Sequence, residues 1–144
     1  MQFRAIFSSL LAAPLLVASL TGHVRAEEPS VKILEVSTTV GREEVVPALK
    51  RTLSAEVAKV SVPTGKRFVL SASLTKLETK TSGSDSTTSC VISIAVRDSS
   101  GALRGMSSGR GTIVTKKGDL GAEKAVLDAA VRGATRGLPE LMGT

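Results

Sequence analysis

The run Ser73-Leu-Thr-Lys76 sets a hydroxyl and an amine three residues apart. This is the spacing with which penicillin-recognising enzymes use a lysine to activate a serine nucleophile. That chemistry needs the pair at the start of a helix, together with partner motifs. Here the run lies in a stretch patterned as a strand, residues 80–83 read Lys-Thr-Ser-Gly, and the chain has no asparagine. A serine hydrolase built on Ser73 and Lys76 is therefore only a minor alternative. Residues 64–67, Thr-Gly-Lys-Arg, resemble the end of a phosphate-binding loop, but Val60 stands where its first glycine belongs and no Ser or Thr follows the lysine. Gly105, Gly109 and Gly111 open no helix, so a dinucleotide fingerprint fails and glycines that let a helix pack closely are the better account. The adjacent carboxylates, Glu27/Glu28 and Glu43/Glu44, cannot converge as a metal cage or a glycosidase couple requires. Cys90 is the only cysteine, which excludes an intramolecular disulfide, and its alternating neighbours Ile92, Ile94 and Val96 predict a buried thiol on the apolar face of a strand.

The start of the chain sets the context for these groups. Arg4, an apolar stretch of about 16 residues and the run Val24-Arg25-Ala26 have the three parts of an export signal, predicting cleavage after Ala26. The stretch is short for a membrane span of roughly 20 residues, Pro14 interrupts it, and no basic cluster follows. A lipid anchor would need a cysteine at the cleavage site. The chain is thus expected to be bacterial and periplasmic or secreted, with residues 1–26 removed, 27–30 a flexible leader and 31–144 one domain. Removal takes the only histidine, His23, and two of three phenylalanines, Phe3 and Phe7, and the chain has no Trp or Tyr. Histidine-based triads and zinc sites are then excluded within the expected mature chain. With Phe68 as its one aromatic residue, that chain is a poor nucleic-acid or sugar binder. No enzyme activity and no metal or other cofactor is expected.

The elements that must position the remaining groups follow from periodicity. A first strand of about six residues is expected within 31–40. A helix should follow to about residue 60, with Val46, Leu49, Leu53, Val57 and Val60 as its stripe and Pro47 in its first turn. A long strand covers 67–80, with Leu77 on the wrong parity and so marking a bulge or a departure from the core. Residues 81–89 are expected to be a flexible loop, 89–98 a third strand, and Asp98-Ser-Ser-Gly101 a type I turn. That turn predicts Arg97 opposite Ala102, Val96 opposite Leu103 and Ile94 opposite Gly105, with Leu103 facing the core and a fourth strand to about residue 115. Asp119 is the expected cap of a last helix that reaches about residue 141 and seats its small residues on the glycines of the fourth strand, with Pro139 ending or kinking it. The fold class is α/β (α+β), a two-layer sandwich in the order β-α-β-β-β-α. Its four-stranded mixed sheet carries both helices on one face.

Two of the 19 basic residues, Arg4 and Arg25, fall in the expected signal, leaving 17 against 13 acidic, a net +4. Residues 97–117 hold Arg97, Arg104, Arg110, Lys116 and Lys117 against Asp98 alone, which accounts for the whole excess. The expected register puts Arg97, Arg104 and Arg110 on the sheet face away from the helices, with Met106 and Val114 between them. Arg97, Arg104, Met106, Arg110, Lys116 and Lys117 are therefore the candidate interaction face, for an acidic protein or an anionic surface. An exposed sheet face could also pair two copies of the chain.

The run Phe68-Val-Leu-Ser-Ala-Ser-Leu-Thr-Lys-Leu-Glu78, the strand and turn over 92–101 and the alanine-rich last helix resemble a group of bacterial envelope domains. These are the penicillin-binding-protein activator lipoproteins, the curli secretion lipoproteins and the amino-terminal domain of TolB. The resemblance implies binding to other envelope proteins without chemistry, although this chain lacks the attachment cysteine of the lipoprotein members. The leading expectation is a non-enzymatic binding or envelope-assembly accessory domain. A carrier of a small apolar ligand held between sheet and helices is the alternative.

Overall fold

The computed structural model describes residues 29–143; the expected signal peptide, its cleavage site and the first half of the leader lie outside them. The chain runs β1 (Val31–Thr38), a 3-10 turn (Glu43–Val45), α1 (Val46–Val57), β2 (Phe68–Ser82), β3 (Asp85–Asp98), β4 (Leu103–Lys116), α2 (Ala122–Arg136) and α3 (Leu138–Met142). The sheet order is β1-β2-β3-β4, with β1 parallel to β2 and the other pairs antiparallel. Both long helices cover one face, α1 against β1 and α2 against β3 and β4. Their apolar stripes, Leu49, Leu53 and Val57 on α1 and Val126, Ala130, Val131 and Ala134 on α2, meet Leu70, Leu74, Ile92, Ile94 and Val96 from the sheet. Ten of these twelve side chains are 0% exposed, so the centre of the layer between sheet and helices is closely filled.

Local sequence explains most boundaries. Pro47 sits in the first turn of α1, where a missing N–H costs nothing. The helix stops at Val57, three residues short of the expectation, and its last stripe residue, Val60, packs from a turn. β2 carries the bulge that Leu77 signalled: between Leu74 and Lys76 the register slips, with Leu74 opposite Ile92 and Leu77 opposite Cys90. Leu77 thereby returns to the core side.

Residues 81–89 correct the expected loop. They are mostly strand, closed by Gly83 and Ser84, and the positive φ of 61° at Gly83 suits the first central position of a two-residue hairpin turn. Threonine favours extension, and the hydroxyls pair across the strands, Thr79 with Thr88 at 3.0 Å and Thr81 with Ser86 at 3.3 Å.

The β3–β4 hairpin corrects the expected register. The Gly101 N–H donates to the Asp98 carbonyl at 3.0 Å as a type I turn requires, but Gly101 adopts φ 85° and the Asp98 N–H donates on to Ala102 at 3.0 Å. That adds one residue to the loop. A bulge at Arg104 adds a second, so Arg97 faces Leu103, Val96 faces Gly105 and Ile94 faces Ser107. Two single-residue shifts restore the parity, and beyond Gly105 every side chain keeps its expected face. Leu103, caught between the shifts, is on the outer face and 53% exposed rather than in the core.

Glycine does let α2 settle on β4. A methyl group at Gly109 would overlap the carbonyl oxygen of Ala130, and one at Gly133 would come within 3.3 Å of the Gly109 Cα. Asp119 is not the cap of α2. Gly121 holds that position, and Asp119, two residues earlier, accepts from the Gly121 N–H through its Oδ1 at 2.8 Å. The last helix breaks at Gly137, and Pro139 lies in the first turn of α3.

Candidate functional site

The sheet face away from the helices is open, and the register lines it up in rows. Ser37, Ser73, Ser93 and Ser108 form one row across all four strands, with Ser93 and Ser108 Oγ atoms 3.5 Å apart. The neighbouring row reads Glu35, Ser71, Ala95 and Met106, and the row beyond the serines on the other side holds Lys76, Val91 and Arg110. Small hydroxyls thus floor this surface, on which Met106 and Val114 are each 64% exposed.

Four of the six candidate residues share this face: Arg97, Met106, Arg110 and Lys116. Arg104 does not join them. It stands in the bulge by Asp98, on a groove lined by Lys66, Arg67 and residues 98–100, because the second shift turns it toward the end of the sheet. Lys117 lies past the other end of β4, where its N–H donates to the Ser84 carbonyl at 2.9 Å. Asp85 is brought opposite Lys116 and pairs with it at 2.9 Å, a neutralisation the local sequence did not reveal. The Arg97 guanidinium donates to the Gly101 carbonyl at 3.1 Å. Arg110 has no ion pair among the described residues.

At roughly 3.3 Å per residue, Arg110 lies about 20 Å from Lys116 and a similar distance from the Arg97–Leu103 row. The screening length at physiological salt is only about 8 Å. These cations therefore act separately, which suits an extended acidic surface and not a single small anion. Charge is also segregated by layer. Residues 41–60 and 118–143, which carry the helices, hold seven basic and seven acidic residues, whereas the sheet and its turns, residues 29–40 and 61–117, hold ten basic and four acidic. Among the described residues no charged side chain is buried, so their whole excess lies on the outer sheet face and at the strand ends.

Ser73 and Lys76 fall on opposite sides of the β2 bulge, one facing Ser93 and the other Val91. Glu78 engages the Lys76 ammonium at 3.0 Å and is held below the usual carboxylate range by it. The side-chain partner of Lys76 is thus Glu78 and not Ser73. Cys90 is fully buried, and desolvation pushes its thiol up to about 11. Among the described residues, no three His, Cys, Asp or Glu side chains come together as metal ligands would. No described helix is long and apolar enough to cross a membrane.

No family model matches the chain, nor does any curated protein. Several solved structures are similar to this chain at low identity. One described as a presumed lipoprotein from Caulobacter crescentus is 14% identical, with 79% of this chain and 88% of that one covered at a TM-score of 0.49. A Xanthomonas campestris protein of family DUF330 is 13% identical over 78% and 83%, also at 0.49. A minor lipoprotein from Acinetobacter baumannii is 12% identical over 76% and 90%, at 0.44. These neighbours are bacterial, and two are described as lipoproteins. With TM-scores below 0.5, they carry no activity, anchor or partner over to this chain.

Proposed function

We propose that this chain is a non-enzymatic binding or envelope-assembly accessory domain that works in the periplasm or outside the cell once residues 1–26 are removed. Its outer sheet face takes the acidic surface of a partner protein. The observation that carries this reading is the segregation of charge, ten basic against four acidic residues on the sheet side and an even balance on the helix side. The exposed Met106 and Val114 add apolar contact between the cations, and the serine row adds hydrogen-bonding groups. The same cations oppose face-to-face pairing of two copies, since like charges would meet. The resemblance to envelope domains that bind other proteins agrees with this role.

Affinity capture from envelope extracts tests it, comparing the native protein with Arg97→Ser/Arg110→Ser. Partners retained by the native chain and lost from the variant at equal loading support the reading. The same partners on both, or none on either, overturn it.

A further inference from the structure

We propose a second docking site, independent of that reading: the free edge of β1 accepts an extended, apolar segment of another polypeptide carrying acidic residues, which joins the sheet as a fifth strand. Among the described residues β1 ends the sheet and has a neighbour on one side only. The Phe68 N–H donates to the Ser30 carbonyl at 2.8 Å, and strand alternation then turns the N–H and C=O of Val31 and Ile33 away from β2. Beside this edge runs a groove of about 580 Å³. Val57, Ala58, Val60 and Val62, from the end of α1 and the turn after it, line its far side. Among the described residues, the charged ones that line it are Lys32 and Lys50.

Three occupants can be compared. An acyl chain would fill the apolar floor but leave the polar backbone of Val31 and Ile33 cut off from water without partners, at about 1–3 kcal/mol for each group. A second copy would bring either β1, on which Lys32 and Glu35 cancel, or β4, where Arg110 is unpaired and Asp85 neutralises Lys116, so neither edge offers net negative charge to the two lysines. An extended peptide satisfies the backbone, places alternate side chains in the groove and answers both lysines when it carries Asp or Glu. Chemistry and charge both select it.

The test is selection from a displayed library of random twelve-residue peptides on the purified protein. Enriched peptides are expected to alternate apolar residues with Asp or Glu and to slow hydrogen exchange at the Val31 and Ile33 amides. N-methylation of alternate peptide amides should abolish binding. Lys32→Glu/Lys50→Glu, two exposed substitutions, should weaken it about tenfold. No enrichment, protection elsewhere, or indifference to both N-methylation and charge reversal overturns the proposal. So does tighter binding of dodecyl phosphate than of any peptide, or protection of the edge by self-association alone. None of these outcomes depends on the β3–β4 face.

Discussion

Replacing Gly109 by alanine tests the packing on which the rest of the domain depends. The new methyl would fall on the Ala130 carbonyl oxygen and crowd the Ala134 amide, both of them backbone atoms of α2 that no rotamer change can move. The helix has to lift. A gap of about 0.5–1 Å forfeits a quarter to a half of the contact energy across it. Val126, Leu127 and Val131 are at most 5% exposed, and burial is worth roughly 1.5–3 kcal/mol for each. The loss then comes to roughly 2–3 kcal/mol, offset by up to about 1 kcal/mol because alanine is easier than glycine to hold in a strand. Net destabilisation of about 2 kcal/mol should lower Tm by about 8 °C in a domain of this size. Urea denaturation followed by circular dichroism measures it. Gly133→Ala should be nearly neutral, since helix propensity favours it and its tight contact of 3.3 Å opposes it. An unchanged or raised stability in Gly109→Ala would refute the close approach of α2 to β4.

Burial raises the folded thiol of Cys90 from 9.0 to about 11, so its contribution to stability is complete below pH 9 and is lost as pH rises toward 11. The loss, about 3 kcal/mol at 1.36 kcal/mol per unit, should appear in native protein and be absent from Cys90→Ala in paired urea titrations across that range. Thiol reagents should label Cys90 only as fast as the domain opens, and labelling at the rate of a free thiol would contradict its burial. Asp98→Ala removes the acceptor for the Ser100 hydroxyl and for the Ser100 and Ala102 N–H groups, and should lower Tm. Because those bonds hold the Asp98 carboxyl below its usual range, the stability it adds is present at neutral pH and is lost as pH falls through that depressed value. An Asp98→Ala protein as stable as the native one at pH 7 would argue against the turn network.

Much of this architecture could be read from the sequence because alternation and helical spacing are strong where one face is buried. Ile92, Ile94 and Val96 announced a strand, Leu49, Leu53 and Val57 a helix, and Leu77 a bulge, and the glycines of β4 foretold close helix packing. What failed was set by single residues with two readings. Gly101 satisfies a four-residue turn on paper yet also suits the left-handed position that lengthens the loop, and Arg104 carries no signal for a bulge. The Ser- and Thr-rich run over 81–89 looked like a loop because its hydroxyl pairs, Thr79–Thr88 and Thr81–Ser86, exist only across the hairpin. Of the candidate face, Arg97 follows from the alternation of β3, and Met106, Arg110 and Lys116 share its face because the two register shifts cancel in parity. Arg104 and the Lys116–Asp85 pair were not foreseeable from local pattern, since both depend on the final register. The free β1 edge and its groove emerge only once sheet order is known.

The central claim, recognition of an acidic partner by the outer sheet face, is tested most directly by site-specific photo-crosslinking in the native cell. A photoreactive residue at Met106, in the middle of that face, is compared with one at Ala55, exposed on the helix layer. The account predicts a discrete crosslinked product from position 106 that disappears with Arg97→Ser/Arg110→Ser, and none from position 55. Crosslinking confined to position 55, or equal products from both positions, would contradict it.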